Sequence, residues 1–264
     1  MANANAIGTA QADAALPAVR KIGPADLKEA LSRGLDDFRA KPSHVIFICL
    51  IYPLIGLVLA RLTFGYDMLP LLFPLMAGFV FVGPIAALGL YELSRRREQG
   101  LEITWRHAFG VFRSRSIGAI LALGAVLLAI FFAWLGAAQT IYTLTFGDAV
   151  PTSITGFARD VLITRQGWML IVLGNGIGLL FAVLVLAISV VSFPLLLDRP
   201  VGAAAAALTS VKACLANPIA MALWGLIVVV GLVIGSLPFF VGLTIVLPVL
   251  GHATWHLYRR VVAH

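Results

Sequence analysis

Residues 217–257 read NPIAMALWGLIVVVGLVIGSLPFFVGLTIVLPVLGHATWHL, with no Asp, Glu, Lys or Arg among them. About 20 apolar residues suffice to cross the hydrocarbon of a bilayer, so this run is too long for one crossing. Gly231, Gly235, Ser236 and Pro238 supply a turn inside it, which divides it into crossings at 217–235 and 237–257. Working outward, further apolar runs stand at 44–62, 68–92, 117–141 and 168–196. The chain therefore reads as an all-α, polytopic membrane protein of six transmembrane helices.

Composition agrees. The 264 residues are 61% apolar and 12% charged, where soluble domains carry about 25% charged residues. The mean hydropathy is +1.00. A soluble fold would lack the polar surface to cover such a core. The N-terminal residues are rich in Ala, Asn and Gln and hold no apolar signal segment. They suggest a disordered cytoplasmic tail over 1–22, followed by a single integral membrane domain over 23–264.

A unit recurs three times: a short amphipathic segment, then two apolar runs, the second interrupted by Pro84, Pro194 or Pro248. The units span about 24–97, 102–199 and 203–260. In the first, Leu27, Leu31, Leu35 and Phe38 form a stripe, and Asp26 with Glu29 has the form of a capping box. The second stripe is Trp105, Ala108, Phe109 and Phe112; the third is Ala204, Leu208, Val211 and Leu215. Each segment is expected to lie at the membrane surface with its stripe in the acyl boundary. The three hairpins would share one orientation.

Charge fixes that orientation. Arg20, Lys21, Lys28, Arg33, Arg39 and Lys41 precede the first run, and Arg95, Arg96, Arg97, Arg106, Arg113 and Arg115 lie between the second and third. Arg199, Lys212, Arg259 and Arg260 complete sixteen of the 19 basic residues on one side. By the positive-inside rule both termini are cytoplasmic. This side would face anionic headgroups. Nucleic acid is not an expected partner, because no base-reading element accompanies the basic residues.

Few residues can carry chemistry. Asn175, within Gly174–Gly178, is the clearest polar group inside a run, suited to a hydrogen bond between packed helices. His252 and His256 stand four apart and so share a helix face, as metal and haem ligands do. Glu92 and His107 are the residues that could join them. Cys49 and Cys214 suggest small apolar positions rather than a disulfide. Segment 154–162, with Ile154, Phe157, Val161 and Leu162, reads as a further surface helix in the long outer loop. No hydrolase triad, paired carboxylate, HExxH or Walker sequence is present, and nothing nominates an enzyme.

Three groups of segments carry a family resemblance. The first is Val19-Arg20-Lys21-Ile22 with Asp26-Leu27 and Gly34-Leu35-Asp36-Asp37-Phe38. The others are Phe193-Pro194-Leu195-Leu196-Leu197-Asp198-Arg199 and Gly251-His252-Ala253-Thr254-Trp255-His256-Leu257-Tyr258-Arg259. Here the chain resembles the DUF2189 group of predicted bacterial integral membrane proteins, some of which are labelled cytochrome c oxidase subunit I-like. The resemblance implies a bacterial inner membrane and no established activity. The scattered transmembrane histidines of an oxidase catalytic subunit are missing. The leading expectation is an accessory, scaffolding or assembly role, with respiratory complexes among the clients and other membrane subunits as partners. The alternatives are a transporter or channel for a small or hydrophobic solute, along Asn175, Gln139 and Thr140, and a haem- or metal-binding protein using His252 and His256.

Overall fold

The computed structural model describes residues 16–41, 61, 69–71, 74–75, 83–85, 87–148, 151, 153–238 and 241–263. Among them the chain is helical, with nine α-helices. These are α1 (Pro24–Ala40), α2 (Leu88–Glu98), α3 (Ile117–Phe146), α4 (Ile154–Ile163), α5 (Arg165–Ser189), α6 (Ser192–Asp198), α7 (Ala203–Ala216), α8 (Pro218–Ser236) and α9 (Leu243–Val261). A 3₁₀ segment, Trp105–Arg113, joins α2 to α3.

Three helices are long and apolar enough to cross a membrane: Ile117–Phe146, Arg165–Asp198 and Pro218–Ser236. They coincide with the third, fourth and fifth expected crossings. The Arg165–Asp198 span is interrupted at Val190–Val191 between α5 and α6. Pro194 explains the position, because it lacks an N–H and its ring crowds the carbonyl four residues back. The expected crossing at 44–62 and much of 68–92 lie outside the described residues, as does Cys49. The sixth, 237–257, forms helix α9, but α9 is not among the helices apolar enough to cross. Its second half carries His252, Thr254, His256, Arg259 and Arg260, and that polar half is buried against other helices rather than in lipid.

The three expected surface segments pack in three different ways. Helix α1 opens with Pro24 after Gly23, whose N–H donates to Asp26 Oδ2 at 2.9 Å. Asp26 thus sits in the first turn rather than at the cap. On the α1 stripe Leu27 is fully covered and Leu31, Leu35 and Phe38 are half-buried, with α9 the main neighbour. In Trp105–Arg113 the three-residue turn puts Ala108 and Val111 inside and leaves Trp105, Phe109 and Phe112 exposed. The expected stripe, read at the α-helical period, is split. In α7 the buried face is Ala206, Thr209, Ser210 and Ala213, and Leu208 and Leu215 point outward. In this third stripe Ala204, Leu208 and Leu215 are exposed and Val211 is half-buried.

Residues 16–22 are not a loose tail. Val19 pairs with Val262 as an isolated antiparallel bridge. Arg20 N donates to Val261 O at 2.7 Å and Ala263 N to Ala18 O at 2.9 Å. Buried Asn217, which caps the join of α7 and α8, accepts from Ile22 N and donates to Arg20 O. Residues 18–22 are therefore joined to residues 261–263 beside the α7–α8 corner. The outer-loop helix forms as expected at α4, with Ser153 accepting from Gly156 N and Phe157 resting on Tyr142 and Phe146.

Candidate functional site

Helices α1 and α9 touch backbone to backbone. A Cβ placed on Gly34 would lie 2.6 Å from the Ala253 nitrogen, so only Gly permits the approach. One turn along, the same approach carries Asp37 to the histidine face of α9. Helix α2 arrives from the side, Leu90 seated on Gly251, and supplies Ser94 and Arg97.

The result is a closed polar chain. His256 Nε2 lies 2.9 Å from Asp37 Oδ2. Ser94 Oγ donates to the same oxygen at 2.5 Å and lies 2.7 Å from His252 Nδ1. Arg97 donates to Asp37 Oδ1 at 2.8 Å. Because the Ser94 proton points to Asp37, the network assigns the His252 proton to Nδ1, donating to Ser94 Oγ. That leaves His252 Nε2 an unprotonated acceptor, buried, with no hydrogen bond. Burial would raise the Asp37 carboxyl, but the hydrogen bonds from His256 and Ser94 outweigh it and hold the group below its ordinary 3.8.

A second tier seals the chain. Glu98 accepts from Trp255 Nε1 at 3.1 Å and Arg259 Nε at 2.9 Å. Asp198 accepts from the Tyr258 hydroxyl at 2.6 Å. Burial and that bond together push the Tyr258 phenol above its ordinary range. Arg260 reaches Asp26 and Glu29 on α1.

The expected histidine pair is thus real as a shared face, with His252 Nδ1 turned to Ser94 and His256 Nε2 to Asp37. Glu92 and His107, the expected companions, go elsewhere. Glu92 holds Arg95 through both oxygens, and His107 Nδ1 accepts from Thr104 N. Among the described residues no group of three His, Cys, Asp or Glu is disposed to hold a metal. Sequence reasoning missed Asp37, Ser94 and Arg97, which lie far from the histidines along the chain. Asp37, inside one of the segments already singled out, was the available signal.

On the other flank of α9 lies a cavity of about 380 Å³ between α2, α5, α8 and α9. Its wall is apolar apart from Tyr91, Ser189, Thr254 and Trp224, whose indole carries an N–H. Ser189 and Thr254 donate back to Val185 O and Leu250 O of their own helices. Asn175 does not reach the cavity. It is exposed on α5 and donates to Ile171 O at 2.7 Å. Gln139 and Thr140 are exposed on α3, so the expected polar pathway is not assembled. Cys214 is half-buried on α7, its thiol pushed up to about 11 by burial.

No curated protein and no solved structure matches the chain. A family model does match, over residues 72–198. It takes in helices α2 to α6, the segment Phe193–Asp198 among them, and leaves α1 and α9 outside. The chain is an integral membrane protein whose residues 72–198 match the DUF2189 family, described as predicted integral membrane protein.

Proposed function

We propose that the protein binds a hydrophobic solute within the bilayer, so that it belongs with solute-handling membrane proteins rather than with scaffolds. The cavity carries this reading. Apolar cavities of about 150 Å³ stay dry and take up apolar guests, and this one is more than twice that size.

Charge distribution supports a bacterial inner membrane with both termini in the cytoplasm. The clasp of α1, α2 and α9 would then form the cytoplasmic end. An accessory role, toward respiratory complexes or others, has no described surface that singles out a partner. Haem or metal at His252 and His256 would have to use the nitrogens not turned to Ser94 and Asp37, and among the described residues no third ligand completes such a site.

The test is mass spectrometry of small molecules that co-purify in mild detergent. Wild-type protein should carry an apolar species in near-stoichiometric amount, and Ala182→Phe, which fills the cavity from α5, should lack it. Absence from both proteins would refute the proposal.

A further inference from the structure

We infer that the guest is the acyl chain of a bilayer lipid, entering sideways between α5 and α8. The inference rests on the solute-binding reading and deepens it.

The rim and floor of the cavity differ in exposure. Leu179 and Val183 on α5 are 63% and 54% exposed, and Leu226 on α8 is 57% exposed. Both helices belong to segments fit to cross a membrane, so these rim positions face hydrocarbon. The floor is covered: Trp224 is 1% exposed, and Val185 and Tyr91 are also buried. The opening therefore leads to lipid and not to water. Gly225 keeps α8 thin at the mouth, where a Cβ would meet Leu186 Cδ2 at 3.1 Å.

The wall also decides which part of a lipid enters. The Ser189 and Thr254 hydroxyls are spent on carbonyls of their own helices, which leaves the Tyr91 hydroxyl and the Trp224 indole N–H in a wall that holds no charged residue to receive a headgroup. Leaving a polar headgroup unpaired inside would be costly, whereas methylenes find an apolar wall throughout. A lipid entering from the side satisfies both demands. Its chain fills the cavity and its head stays at the interface. A free apolar compound would satisfy the wall equally, and the experiment separates the two sources.

Trp224 in the floor is a built-in reporter. The protein is placed in lipid nanodiscs containing phospholipid brominated at mid-chain, and Trp224 emission is taken as the difference between wild type and Trp224→Phe. Brominated chains should extinguish that emission, and Val183→Phe combined with Val229→Phe at the exposed rim should restore it. Exposed Trp168 reports that brominated lipid reaches the protein in every variant. Bromobenzene is the second arm. Quenching of Trp224 by bromobenzene but not by brominated chains would overturn the acyl-chain inference and leave solute binding intact. Quenching by neither would overturn both. Chain quenching that ignores the rim substitutions would refute sideways entry.

Discussion

Asp37→Ala should detach α1 from the rest of the protein. The Asp37 carboxylate takes hydrogen bonds from His256, Ser94 and Arg97. Bonds to a charged group contribute about 1.5–3 kcal/mol each. Arg97 counts for little, because its side chain is 38% exposed and water can replace the partner. The His256 and Ser94 bonds are within the buried cluster and together set a cost of about 3–5 kcal/mol, the range for breaking a buried pair. At 1.4 kcal/mol per decade, the detached population should rise by about two to three and a half orders of magnitude. Limited trypsin digestion at Lys28 and Arg33 in mild detergent reads this directly, since cleavage requires α1 to leave α9. Asp36→Ala on the same helix is the control, expected within about 0.5 kcal/mol of wild type. Equal digestion rates for Asp37→Ala and wild type would refute the reasoning.

Three further outcomes follow from the same geometry. The Asp37 carboxyl is depressed in the folded state, so its stabilisation is complete above the unfolded value of 3.8 and fades as pH falls through the lower folded value; α1 should stay protected at pH 5 and open only below about 3.8, and opening between pH 5 and 6 would contradict this. Gly34→Leu should prevent the α1–α9 contact, because its Cβ would strike the Ala253 backbone rather than a movable side chain; Gly136→Ala, with open space around the site, should leave thermal stability within about 0.5 kcal/mol of wild type or slightly raise it. Reporter fusions after Arg97 and after Arg260 should both report the cytoplasm, and either one reporting the opposite side would reject the orientation.

What could be read from the sequence was what local periodicity records. Apolar run length located α3, the α5–α6 span and α8, because spanning hydrocarbon demands consecutive apolar residues whatever their neighbours. The shared face of His252 and His256 followed from four-residue spacing alone. Their partners did not, because Asp37 and Ser94 stand 219 and 158 residues from the histidines they meet. Tertiary contact decides such pairs, and no local pattern encodes it. The same holds for residues 16–22, whose extended path depends on Val261, Val262 and Ala263 at the far end. At Trp105–Arg113 the stripe was visible but its period was not, since the same residues serve a 3.0 or a 3.6 turn with different faces inward. The cavity had no local signature at all. It arises where Gly225 on α8, Ala182 on α5 and Gly251 on α9 face a common space.

The central claim, an apolar guest held between α5, α8 and α9, is tested most directly by an experimental density map of the protein in lipid nanodiscs. The account predicts elongated density against Trp224 and Val185, continuous with the surrounding lipid past Val183 and Leu226. A cavity that is empty, collapsed or filled by the protein's own side chains would contradict it.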